Sequence, residues 1–150
     1  MMRNINQAGI ELIKRWEGLR LHTYSDATGR ATIGYGHLIT PLDGDDFVNG
    51  ITLEQATELL MYDIERTATG VIAALKVEIS DNQFAACVSF SYNLGVRAFA
   101  RSTFCRLINK GDFSSASDEI PKWCRAGGVI LRGLLNRRLE EQDLFETVDG

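Results

Sequence analysis

The chain reads as an α+β protein, mostly helical, with a small antiparallel sheet lobe and a larger helical lobe joined by a long helix. Three observations predict this. Residues 19–40 are short β-branched or aromatic stretches cut by glycines, as in hairpins. Residues 52–75 keep a helical apolar period long enough to link two bodies. The remainder to residue 145 is again helical in period, with one segment apolar on most faces. The expected lobes are about 18–51 for the sheet, 1–17 with 76–150 for the helices, and 52–75 for the connection. A chain of 150 residues is one domain in size and buries a core without staples.

The first helix is expected over Asn6–Glu17. Asn6 supplies an N-cap acceptor, and Ile10, Ile13 and Glu17 repeat at helical spacing. Gly18 stands where a left-handed residue ends such a helix. Strands are expected over Leu21–Tyr24, Ala31–Tyr35 and His37–Thr40, with Asp26-Ala27-Thr28-Gly29 and Gly36 as turns. A sheet this small needs a helix to pack on. Pro41–Gly50 is an acidic loop. Thr52 with Gln55 forms a capping box that opens the long helix to Leu75, with a bend expected near Gly70. Ser80 or Asp81 begins the central core helix, which Gly95 ends. Helices over 102–110, 113–125 and 131–145 follow, separated by Gly111-Asp112 and Ala126-Gly127-Gly128.

Composition excludes several functions. Residues 1–75 carry six Lys/Arg against ten Asp/Glu, and residues 76–150 carry ten of each, so the net charge of −4 sits in the first half. No basic face for nucleic acid is expected. General attraction to an anionic wall is also absent, so wall binding requires a specific cleft. No run of eighteen apolar residues exists, and residues 1–7 lack the apolar core of a signal peptide. Cys87, Cys105 and Cys124 are odd in number and widely spaced, which is neither a disulfide framework nor a zinc pattern. No metal and no cofactor are expected.

The chemistry concentrates in two carboxylates. Cleaving a glycosidic bond takes one carboxyl that donates a proton to the leaving oxygen and a second group on the far side of the sugar. Glu17 follows Trp16 and shares a face with Ile13 and Ile10, surroundings that favour the protonated form of an acid catalyst. Asp26 sits in a turn, a wetter place where it stays ionised. Each also has a plain structural reading. Glu17 is a helix-end carboxylate, and Asp26 is a good turn former. Thr32 is on its own an ordinary strand residue.

The segment Trp16-Glu17-Gly18-Leu19-Arg20-Leu21-His22-Thr23-Tyr24-Ser25-Asp26, followed by Gly29-Arg30-Ala31-Thr32-Ile33-Gly34-Tyr35-Gly36-His37, resembles the phage-type lysozymes of glycoside hydrolase family 24. That family spaces a Glu, an Asp or Cys after eight residues, and a Thr after five more, as Glu17, Asp26 and Thr32 are spaced. Phe90-Ser91-Tyr92-Asn93-Leu94-Gly95, Phe99–Leu107 and Gly127-Gly128 through Arg137-Arg138 extend the likeness over nearly the whole chain.

The resemblance implies a muramidase acting on the β-1,4 bond between N-acetylmuramic acid and N-acetylglucosamine of peptidoglycan. Glu17 would be the acid, facing the cleft between the lobes. Asp26 and Thr32 would hold the attacking water, with inversion at the anomeric carbon. Leu38, Tyr92, Asn93 and Thr103 are carried over as substrate contacts. His37 and Asp63 are carried over as a structural salt bridge. The family further implies a monomer that lyses host cells. It would be made in the host cytoplasm and act on the periplasmic wall after release through a holin-type pore. A lytic transglycosylase, a cysteine peptidase and a catalytically silent wall-binding module are the competing classes. The retained Asp26 and Thr32, and cysteines far in sequence from both histidines, count against them.

Overall fold

The computed structural model describes residues 3–148. The chain forms α1 (Gln7–Glu17), β1 (Arg20–Ser25), β2 (Ala31–Gly34), β3 (His37–Leu38), α2 (Leu53–Ala74), α3 (Asp81–Leu94), α4 (Val96–Arg101), α5 (Thr103–Asn109), α6 (Phe113–Glu119), β4 (Arg125–Ala126), β5 (Val129–Ile130) and α7 (Arg132–Glu146). Short 3-10 turns cover Pro41–Asp43 and Ile120–Lys122. The architecture is the helical α+β fold with a small antiparallel sheet. Two compact units result. One runs from Lys14 to Glu65, and the other takes the chain up to Ile13 and again from Arg66. The boundaries fall inside α1 and α2, so both helices are shared covalently.

In the sheet unit, β1, β2 and β3 pair antiparallel in sequence order. Tyr24 faces Thr32 across β1–β2, and Thr32 faces Leu38 across β2–β3. An irregularity between Arg20 and Tyr24 sets this register. A slip of one residue would turn every side chain to the other face. Ile33, Ala56, Leu60 and Ile64 are buried, so the sheet gains the apolar helix face that three short strands require. The turn between β2 and β3 has left-handed glycines at Gly34 (φ 69°) and Gly36 (φ 81°) around Tyr35.

In the helical unit, α3 is buried from Phe84 through Ser91. Ser80 caps it, accepting from the Gln83 amide, while Gln83 returns a bond to the Ser80 amide. Phe90 packs edge-on or tilted against Phe99, Phe104 and Trp123, and Phe104 meets Phe145. Each fully buried Phe contributes roughly 1.5–3 kcal/mol relative to exposure. α1 begins on the Asn6 cap, whose side chain accepts from the Gly9 amide at 3.0 Å. A Cβ at Gly9 would lie 2.8 Å from that of Ala85, so only glycine allows this approach of α1 to α3. α2 runs unbroken through Gly70. A Cβ there would lie 2.5 Å from Val96, so close packing against α4 explains the glycine.

Three local expectations are corrected. The helix expected over 113–125 ends at Glu119 and continues only as the 3-10 turn Ile120–Lys122. Pro121 has no amide to extend the ladder, and the Ser117 carbonyl instead accepts from Gln142 at 3.1 Å. α4 forms where no helix was expected, because Gly95 at φ 96° ends α3 and starts a new turn at once. The expected breaker at 126–128 is the tip of a β-hairpin, with Gly127 (φ 58°) and Gly128 (φ 79°) supplying the two positive φ angles of a type I′ turn.

Candidate active site

Glu17 is the last residue of α1, half-buried. Gly18 follows at φ 69°, and its amide bonds the Lys14 carbonyl at 3.0 Å, which ends the helix and turns the chain into β1. The carboxyl rests against the β2–β3 turn. A Cβ added at Gly36 would stand 2.5 Å from Glu17 Oε1. Gly36 therefore serves twice, as a left-handed turn residue and as the space the acid occupies. Gly36→Ala is expected to displace the flexible carboxyl tip and to lower any activity that depends on it by about 100-fold, with backbone strain of about 1 kcal/mol. Turnover and a thermal melt on the same preparation check this. Unchanged turnover would show that the carboxyl position is immaterial.

Asp26 closes the β1–β2 turn. Its Oδ1 accepts from the Thr28 amide (2.8 Å), the Thr28 hydroxyl (2.7 Å) and the Arg30 amide (2.9 Å), and Oδ2 accepts from Arg30 Nε at 3.2 Å. The Thr28 hydroxyl is the largest cause that holds the Asp26 pKa down to about 2, followed by the Arg30 amide. A lowered folded value adds stability above the ordinary carboxylate value of 3.8. That stability is lost as pH falls through about 2. Thr28→Val should return Asp26 toward 3.8, read by carbon NMR titration of its carboxyl. A midpoint still near 2 would remove Thr28 as the cause.

Thr32 is 3% exposed, and its hydroxyl donates to the Arg30 carbonyl at 2.9 Å. Its proton is thus engaged, and its lone pairs are what it offers a ligand. Tyr24 and Leu38 flank it in the same cross-strand row. Leu38 is 38% exposed. His37 Nδ1 lies 2.8 Å from Asp63 Oδ2 on α2 and Nε2 lies 3.9 Å from Asp43 Oδ2, with Phe47 edge-on to the ring. The imidazole ties the β3 edge to α2 through Asp63.

The remaining candidates lie in the helical unit. Tyr92 is half-buried in the last turn of α3, and Thr103 is the first residue of α5. Asn93 is exposed, and its side-chain oxygen accepts from Arg138 at 2.9 Å. Among the described residues no group of His, Cys, Asp and Glu could hold a metal. Three participants went unnoticed in sequence: Tyr24, Arg30 and Gly36. The alternation Tyr24, Asp26 and the i,i+4 pair Asp26, Arg30 were the available signals.

The family described as phage lysozyme matches residues 14–141. The chain belongs to the phage lysozyme family. This family member is 42% identical over 145 residues to an endolysin of Bacillus phage PZA, covering 95% of this chain and 55% of that protein. An endolysin of Acyrthosiphon pisum secondary endosymbiont phage 1 is 40% identical over 148 residues, covering 96% and 99%. Among solved structures, the muramidase domain of SpmX from Asticaccaulis excentricus superposes with a TM-score of 0.85 at 34% identity, covering 97% and 99%. The chain spans about half the length of the Bacillus phage relatives it matches. Among the described residues no helix is long and apolar enough to cross a membrane.

Proposed function

We propose that this phage lysozyme family member is a muramidase that hydrolyses the β-1,4 bond between N-acetylmuramic acid and N-acetylglucosamine, with inversion. The observation that carries this reading is the pairing of two unlike carboxyl groups in one compact unit. Glu17 stands at a helix end with its tip against Gly36, and Asp26 is tied into a turn by four donor contacts. Glu17 protonates the leaving oxygen. Asp26, ionised down to about pH 2, is a weak base. It works by charge, stabilising the positive sugar that develops and orienting water with the Thr32 lone pairs. Leu38, Tyr92, Asn93 and Thr103 contact the glycan, and the His37–Asp63 pair braces the sheet on α2. As in the relatives named endolysin, the activity serves lysis. The chain is made in the host cytoplasm, works as a monomer, and reaches the wall through a holin-type pore.

Digestion of purified peptidoglycan in ¹⁸O water tests the reaction. The expected products carry one ¹⁸O at the new reducing end, and early NMR spectra show the α-anomer. Anhydro-sugar as the main product would replace hydrolysis with transglycosylation, and a β-anomer would overturn inversion. The enzyme with Glu17→Gln is the parallel control for the identity of the acid.

A further inference from the structure

The two groups read above as holding the attacking water, Asp26 in the β1–β2 turn and Thr32 on β2, each offer it an acceptor. The Thr32 hydroxyl spends its proton on the Arg30 carbonyl. The ionised Asp26 carboxylate has no proton to give, and its Oδ2 takes a single contact, from Arg30 Nε. A water that donates to both still has two lone pairs and can rotate about the axis they define. To aim one lone pair at the anomeric carbon, the site needs a donor for the other.

Tyr24 is the hydroxyl-bearing neighbour of Thr32 on the adjoining strand. It is the direct cross-strand partner of Thr32, so the two side chains rise from the same face of the sheet, with Cβ atoms about 4.5–5.5 Å apart. Leu38 completes the row on the other side of Thr32 and has no polar atom. The Arg20 guanidinium lies 5.0 Å from the centre of the Tyr24 ring and holds its plane. Partial burial, and then the charge of Glu17, raise the Tyr24 pKa above its ordinary 10.0 against the opposing pull of Arg20, and Asp26 adds to the rise. The phenol therefore keeps its proton wherever the wall is neutral or mildly basic.

We infer that Tyr24 is a positioning residue whose hydroxyl donates to the attacking water and fixes its third direction beside Thr32 and Asp26. This rests on the muramidase reading above. The water donates its two hydrogens to Thr32 Oγ1 and Asp26 Oδ2, accepts one from Tyr24, and points its last lone pair at the sugar. Attack forms the new C–O bond as the glycosidic C–O bond breaks. The Glu17 proton goes to the leaving oxygen. The water's own proton leaves through Asp26 to solvent, and Tyr24 keeps its proton throughout.

Tyr24→Phe tests this, since it removes the hydroxyl and leaves the ring under Arg20. On soluble glycan strands kcat should fall about 10- to 100-fold, with KM within about twofold and an unchanged melt. Thr32→Ala and the double variant complete a cycle, and the two losses should be strongly non-additive because both act on one water. Wild-type kcat in Tyr24→Phe, a rise in KM alone, or fully additive losses would each overturn the inference. Glu17→Gln assayed beside them separates the levels. If it is as active as wild type, the acid assignment itself fails. If it is dead while Tyr24→Phe is fully active, only the role of Tyr24 fails.

Discussion

Replacing Glu17 by Gln should lower turnover on peptidoglycan by about 10²- to 10⁴-fold, the contribution of a positioned general acid. Clearing of chloroform-treated Gram-negative cells should stop at equal enzyme concentration, with KM for soluble glycan within about threefold. The substitution keeps the shape of the side chain and removes its transferable proton. Folding should not suffer. Glu17 is the C-terminal residue of α1, where the helix dipole presents its negative end. A neutral amide there is favoured by about 0.3–1 kcal/mol over a carboxylate, so the melting temperature should hold or rise slightly. Lost activity with retained stability is the signature of a residue kept for function at a cost to the fold. Clearing at the wild-type rate would refute the acid assignment.

The largest effect on stability is expected at Glu141. This carboxylate is fully buried in α7 and is the shared anion of two buried guanidinium groups. Arg138 Nε lies 2.6 Å from Oε1, and Arg137 Nε lies 3.2 Å from Oε2. The Ser89 hydroxyl on α3 donates to Oε2 at 2.5 Å. Desolvating three charges is costly, and the pair geometry offsets it only while all partners are present. Glu141→Gln leaves two buried cations without the anion they share, at a cost of about 3–5 kcal/mol. For a chain of this size the melting temperature should drop by about 10 °C or more. Glu146→Gln, at an exposed position of the same helix, should change it by no more than the ordinary surface scatter of about 0.5 kcal/mol. A Glu141→Gln melt within a degree or two of wild type would mean that the cluster is held by its other bonds alone.

The same buried cluster shows where sequence reading stops. Arg137 and Arg138 look like surface cations of an amphipathic helix, yet Arg138 is wholly buried, with its guanidinium 5.2 Å from the Phe90 ring centre and bonded to Asn93. Beyond Glu141 on their own helix, their partners Ser89 and Asn93 lie 48 and 45 residues away on α3. Nothing in local spacing marks those pairs. Asn93, carried over as a glycan contact, also proves to be tied to Arg138.

What the sequence determined by itself is local. The Asn6 cap and the Gly18 stop of α1 rest on the chemistry of one or two residues, as do the Ser80 and Gln83 capping box and the glycines of the sheet turns. Each acts within four positions of itself. The spacing of Glu17, Asp26 and Thr32 is equally a property of the chain. Tertiary structure alone decided which residues meet across the strands. The irregularity in β1 sets Tyr24, rather than a neighbour, opposite Thr32. It also decided which glycine leaves room for the acid, and which charges are buried. Register, close approach and desolvation depend on atoms distant in sequence, and no window of neighbouring residues contains them.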